Sequence, residues 1–282
     1  MKAEPISSEH MMIEKQRESI AFIAGAYLIA YACWGTLALR GVPARASAGA
    51  TALYMLGGLS ATIAALLLPL FAPRDERPAY YRRFFRFRIA GWWYLVPFVP
   101  ALIMTALSYA IIRLFLAPAA AVAEIEPLYM IVPLFFLMIL GGGIEEFGWR
   151  GILVHNLRRG NAAIAALAVG TVWACWHIPL FFVPGVLQYH ADFIPFAIAI
   201  LAFSLVTAAL YLGSRSVIPC VIAHAWFNAC ASLGFWYGGD RAAAYVDGLV
   251  KLAVGAAFFA VVLGADRARG RPGGGESRRR TA

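Results

Sequence analysis

Charge is what this sequence has least of. Of 282 residues only 14% are Asp, Glu, Lys or Arg, against roughly 25% in soluble domains, while 62% are apolar and the mean hydropathy is +0.72. That balance excludes an ordinary soluble enzyme and leaves no stretch for a separate soluble domain. Acids are scarcer than bases, 15 against 24, for a net charge of +9. Nucleic acid is not the expected partner, because 12 of the 24 basic residues lie in 74–88 and after Leu263, beside apolar runs where anionic lipid headgroups account for them. The four cysteines, Cys33, Cys175, Cys220 and Cys230, form no CxxC pair, which excludes a disulfide framework or a Cys-rich zinc site. There is no HExxH helix and no GxSxG elbow. An aspartyl intramembrane protease would need two buried Asp, and Tyr237-Gly238-Gly239-Asp240 is only a near miss at a span end. No internal repeat is evident.

What is present is a series of apolar runs, each about 20 residues or longer, enough to cross a bilayer. They fall near 19–39, 48–72, 92–116, 129–158, 162–182, 193–213, 216–237 and 244–264. The expected fold is an all-α polytopic membrane protein of about eight transmembrane helices. It divides into an N-terminal segment 1–18, a membrane domain 19–264 with its core at about 129–237, and a disordered basic tail 265–282. Residues 1–19 carry four Glu beside Lys2, Lys15 and Arg17, unlike a cleaved signal, so the first run reads as a retained anchor. Alternating the loops puts 19 basic residues on one side and three, Arg40, Arg45 and Arg241, on the other. The positive-inside rule then places both termini in the cytoplasm. The loop 73–91, with Arg82-Arg83-Phe84-Phe85-Arg86-Phe87-Arg88, has the mixed basic and aromatic character of a helix lying among headgroups.

One stretch breaks the apolar pattern: Gly141-Gly142-Gly143-Ile144-Glu145-Glu146-Phe147-Gly148-Trp149-Arg150. Ionised groups near the middle of a bilayer cost several kcal/mol, so either this is the water-exposed end of a span or the charges are matched. Helical spacing puts Glu146 and Arg150 on one face, able to pair, and turns Glu145 about 100° away, with no local partner and free to face a cavity. Asp247 and Lys251 have the same i, i+4 spacing and are expected simply to pair.

Two further runs carry polar groups: Trp173-Ala174-Cys175-Trp176-His177, and His224-Ala225-Trp226-Phe227-Asn228, whose His and Asn share a helical face. Depth decides whether the three segments can meet. If the fourth span ended at Ile144, Glu145 would lie at the surface and His177 roughly 22 Å deeper. If its helix runs on unbroken past Arg150 to Asn156 and turns at Arg158-Arg159-Gly160-Asn161, Glu145 lies roughly 20 Å in, and His224 and Asn228 roughly 12 and 18 Å. The apolar Ile152, Leu153 and Val154 favour continuation, and with it a shared buried site. A carboxylate in a partly dry pocket can act as a general base on water, His can relay the proton, and a His and an Asn can supply donors to a developing oxyanion. That set suits hydrolysis of an amide or ester. Glu145, His177 and His224 could instead hold zinc. A non-enzymatic transporter or scaffold with buried acids binding a proton or cation is the alternative reading.

In order and spacing the three segments resemble the CPBP family of intramembrane proteases, which contains the CAAX prenyl endopeptidases and bacteriocin-processing and self-immunity proteins. The family pattern is EExxxR, FxxxH and HxxxN, and the resemblance covers roughly 130–230. The one departure is Trp173, where the family usually has Phe, a change that bears on pocket shape. The resemblance implies an intramembrane endopeptidase of glutamic type, with no cofactor required, in which Glu145 and His177 activate water and His224 and Asn228 hold the oxyanion. Glu146 and Arg150 would support them. It further implies a membrane-anchored peptide or protein substrate, not necessarily prenylated, and residence in a bacterial inner membrane.

Overall fold

The computed structural model describes residues 8–116, 125–158 and 160–268. Among them there is no strand, and the protein is an all-α polytopic membrane protein. Its elements in chain order are α1 (Ser8–Leu39), α2 (Ala48–Leu67), α3 (Arg77–Phe84), α4 (Phe98–Phe115), α5 (Ile131–Leu140), α6 (Glu146–Gly148), α7 (His155–Leu157), α8 (Ala162–Trp176), α9 (Phe193–Ser214), α10 (Ile218–Ser232) and α11 (Arg241–Ala268).

Seven stretches are long and apolar enough to cross a membrane: Met12–Leu39, Ala48–Phe71, Gly91–Phe115, Leu128–Leu157, Ala162–Phe182, Phe193–Ser214 and Arg241–Ala265. The eighth expected run contributes only the 15 residues of α10, about 22 Å of helix, shorter than a hydrocarbon core of about 30 Å. It nevertheless joins the two ends of the bundle. At one end α1 begins beside the close of the fourth span, where the Asn156 side-chain amide donates to the Lys15 carbonyl at 3.3 Å and to Glu18 at 3.1 Å. The Tyr80 hydroxyl donates to Glu18 there, and the Ser216 hydroxyl donates to the Arg86 carbonyl at 2.7 Å. At the other end the Ala44 N–H donates to the Pro184 carbonyl, the Glu126 N–H to the Leu233 carbonyl, and Arg241 pairs with Asp192 at 3.1 Å. Loops therefore alternate between two faces, and α10 runs between them.

Local chemistry sets the boundaries. Ser47 accepts a hydrogen bond from the Ala50 N–H, and Asn161 from those of Ala163 and Ile164, capping α2 and α8. α9 stops where Arg215 turns left-handed, at φ 59°. Apolar on every side, α9 is the central helix, and every residue from Ala202 to Ser214 is buried.

The segment 1–18 is helical from Ser8. Two expectations change. α11 runs to Ala268, so 265–268 are helical where a disordered tail was expected, and 269–282 lie outside the described residues. In 73–91 only Arg77–Phe84 is helical, and Tyr80 and Phe84 are fully buried. Phe84 stacks on Phe147 with ring centroids 5.4 Å apart, so this loop enters the bundle as well as flanking it.

Candidate active site

The fourth span is helical past Arg150 as far as Leu157, but it is not unbroken, because it is interrupted ahead of Glu145. α5 ends at Leu140, the chain turns at Gly141 and Gly142, and it resumes as a 3₁₀ turn over Gly143–Glu145, then α6, then a π-helix over Trp149–Val154, then α7. The break has a steric cause. Gly142 has φ 156°, and a Cβ placed on it would lie 2.3 Å from Asn228 Nδ2 and 3.0 Å from His224 Nε2. Only glycine lets the backbone come this close to both side chains. From Gly143 to Leu157 the chain stays helical in one form or another, which holds Glu145 and Glu146 inside the bundle, 8% and 0% exposed. π-helical turns are rare and frequently accompany functional sites.

Glu146 and Arg150 pair as their spacing indicated, Nη1 to Oε1 at 3.1 Å, both fully buried. The same Glu146 oxygen accepts from His224 Nδ1 at 2.9 Å. A carboxylate only accepts, so Nδ1 of His224 carries a proton and its Nε2 faces the Gly142 backbone beside Asn228. The Asn228 amide also donates to the Gly141 carbonyl at 3.5 Å.

Glu145 is not without a local partner. Its Oε2 accepts two indole N–H groups, from Trp149 four residues on and from Trp173 on α8, each at 3.2 Å. The Trp173 ring is the hub of the site. Its centroid lies 5.1 Å from that of His224 and 5.8 Å from that of His177, and the Arg150 guanidinium carbon stands 5.0 Å from it. A phenyl ring here would keep the stacking and lose the bond to Glu145. Trp149 and the Trp173 N–H were both missed in the sequence. Trp149 stands at the same i, i+4 spacing from Glu145 that revealed the Glu146–Arg150 pair, whereas no local pattern signals the Trp173 bond.

His177 caps the C-terminal end of α8, where Pro179 two residues later closes the helix into a 3₁₀ turn. Its Nδ1 donates to the Trp173 carbonyl at 2.8 Å, which fixes the proton there and leaves Nε2 as the free ring nitrogen. Trp176 and Phe196 wall the ring, at 4.7 and 5.1 Å between centroids. Among the described hydrogen bonds none joins His177 directly to Glu145; Trp173 touches both. The structure thus gathers Glu145, Glu146, Arg150, His224 and Asn228 by direct contact through Trp173 and Gly142, and places His177 on the far edge of Trp173.

The zinc alternative fits this arrangement poorly. No group of three His, Cys, Asp or Glu side chains at metal-ligand spacing occurs among the described residues. Nδ1 of His224 and of His177 is engaged, by Glu146 and by the Trp173 carbonyl, while Nε2 of each is not, so it is the spacing of the three groups and not their hydrogen bonds that tells against a shared ion.

The family model described as "Type II CAAX prenyl endopeptidase Rce1-like" matches residues 127–230, which contain all of these side chains. Residues of this chain are also 32% identical over 105 positions to the CAAX prenyl protease 2 of Methanococcus maripaludis. The family similarity falls on the segment that carries the three polar motifs, and there the chain is similar to CAAX prenyl endopeptidases. The match covers 34% of this chain and 39% of the archaeal protein, so the chain spans about two fifths of that relative's length. The rest of the chain, α1 to α4 and α11, lies outside the matched segment.

Proposed function

We propose that this protein is an intramembrane endopeptidase that hydrolyses a peptide bond of a membrane-anchored peptide or protein with water activated by Glu145. The observation that carries the reading is the asymmetric seating of Glu145 inside a segment that matches a CAAX endopeptidase family. Two indole N–H groups fix Oε2, and the other carboxylate oxygen is left to take a proton.

In the reaction, Glu145 accepts a proton as water oxygen attacks the scissile carbonyl carbon, with His177 Nε2 as the second base at the rim of Trp173. Negative charge moves onto the carbonyl oxygen. The side-chain N–H of Asn228 and a proton on Nε2 of His224 stabilise it in the hollow that glycine leaves at 142. Glu146 Oε1 accepts from Nδ1 of that ring and from Arg150 Nη1, which holds the ring in place against the hollow. As the intermediate collapses, the proton taken by Glu145 passes to the departing amine, and both products leave with atoms and charge balanced. Trp149 and Trp173 act as positioning residues.

In this reading the protein sits in a bacterial inner membrane, and the face bearing residues 8–19, 72–90, 160–161 and 215–217 is the cytoplasmic one, as the distribution of Lys and Arg implies. A transporter would be favoured by broken helices at corresponding positions of two repeats. The breaks here, at Gly141–Gly142 and His177–Pro179, sit in the adjacent fourth and fifth spans and close on one set of side chains.

The test is incubation of the purified protein with a library of membrane-anchored peptides, with and without a strong chelator, read by mass spectrometry. New peptide ends from the wild type and none from Glu145→Gln, unaffected by chelator, are expected. Activity lost to chelator and restored by metal would turn Glu145, His177 and His224 into ligands. Absence of cleavage together with ion uptake that depends on Glu145 would overturn the protease reading.

A further inference from the structure

A second concentration of polar groups lies away from the Glu145 site, at the bundle end where the third helix, the close of the fourth span and the end of α9 meet. A cavity of about 800 Å³ opens there. Six arginines line it, Arg82, Arg83, Arg86 and Arg88 from α3 and the chain after it, Arg158 after α7 and Arg215 after α9, and no acidic side chain among the described residues does. Arg82, Arg83, Arg86, Arg88 and Arg215 have no carboxylate partner among the described residues. Nη1 of Arg83 is buried and accepted by nothing, while the guanidinium rests 4.5 Å above the Tyr80 ring. Arg86 reaches the Arg215 carbonyl at 3.5 Å, and the Tyr211 hydroxyl meets His155 at 2.6 Å on the cavity wall.

Arg82, Arg86, Arg88 and Arg215 are exposed at the rim and Arg83 is half-buried, so the wall presents charge of one sign to whatever enters. Guanidinium forks match the oxygens of a phosphate group in number and geometry. Exposed Phe85 and Phe87 stand between the arginines at the same rim, an apolar surface beside a cationic one. We propose that this cavity is a binding site for a phosphate oxyanion, carried by an anionic lipid headgroup or supplied free from solution. The segment it would fasten is already tied to the bundle interior. Phe84 and Phe85 both pack on Phe147 at 5.4 Å, and a Cβ at Gly151 would strike the Phe84 ring at 2.6 Å. Occupation therefore ties the third helix to the helix that bears Glu146, and it should register as thermal stability.

The experiment uses the full-length protein in a detergent with an uncharged headgroup. Unfolding midpoints are measured with added phosphatidylglycerol, phosphatidylcholine, sodium phosphate, or sodium chloride at matched ionic strength. Phosphatidylglycerol is expected to raise the midpoint by about 3 °C or more over phosphatidylcholine. A double variant Arg86→Gln, Arg88→Gln should lose that rise, and the charge-matched Arg40→Gln, Arg45→Gln variant on the opposite face should keep it. An equal rise with sodium phosphate identifies free phosphate as the ligand, and a rise with the lipid alone identifies the headgroup. Native mass spectrometry of the wild type gives a second readout that needs no variant: one retained phosphatidylglycerol or phosphate is expected. The proposal is overturned if neither phosphate source shifts the midpoint and neither is retained, or if both double variants respond alike.

Discussion

Two ion pairs lie buried in this protein at the same spacing, and they are not equivalent. Glu146 and Arg150 in the fourth span, and Asp247 and Lys251 in the last, each stand four residues apart with side chains at most 9% exposed. The second pair is self-contained: Lys251 meets Asp247 at 2.5 Å and rests its ammonium 4.8 Å over the Phe227 ring. The first pair reaches across the bundle, because its carboxylate also holds His224 and its guanidinium stacks on Trp173. Spacing alone forecasts both pairs. What separates a pair that only neutralises charge from one that orients a site is the partner on another helix.

Substitutions can break that comparison, beginning with the residue the first pair supports. Glu145→Gln keeps the shape and removes the base, and turnover in a peptide-cleavage assay should fall by about 10² to 10⁴ while circular dichroism reports an unchanged helical fold. Asn228→Ala removes one oxyanion donor, with a loss in turnover of about 10² to 10³. Gly142→Ala should match it, because the added methyl would occupy the space of the Asn228 amide and His224 Nε2. A Gly142→Ala enzyme with wild-type turnover would show that the hollow plays no part.

Glu146→Gln separates the pairs directly. Breaking a buried pair costs about 3–5 kcal/mol, so both Glu146→Gln and Asp247→Asn should lower the unfolding midpoint. Only Glu146→Gln should lower turnover as well, since only it frees a ring of the site. The smallest effect is expected at Trp173→Phe. That change keeps the stacking and deletes one of two N–H groups on Glu145, worth about 1.5–3 kcal/mol for a bond to a charged group, so turnover should drop by about tenfold or somewhat more with KM little changed. A structural role alone would change stability and leave turnover where it was.

Much of this was legible in the chain. The apolar runs gave the order of the helices and, through the alternation of basic loops, the two faces that the Asn156–Glu18 and Arg241–Asp192 contacts join. The three polar segments pointed to one place because depth, counted along helices, is a physical constraint that sequence carries. Less legible was the form of the fourth span. Gly141-Gly142-Gly143 was visible but continuity to Asn156 was expected, since the reason for the break is the approach of Asn228 and His224 from α10, some 80 residues on. The same distance hid the Glu146–His224 bond. Indole rings in a membrane protein read first as interfacial anchors, and so Trp149 and Trp173 went unrecognised as donors to Glu145. The short α10 was masked by apolar residues on both sides of it, which lengthen the run without lengthening the helix.

The most direct measurement takes one membrane-anchored peptide that the wild type cleaves and follows its hydrolysis by wild type, Glu145→Gln and Asp247→Asn, each first shown to be folded. Turnover reduced by about 10² or more for Glu145→Gln and within twofold of wild type for Asp247→Asn is the expected result. Cleavage by Glu145→Gln at the wild-type rate, or equal losses in the two variants, would contradict the assignment of Glu145 as the base and leave its two indole bonds as packing alone.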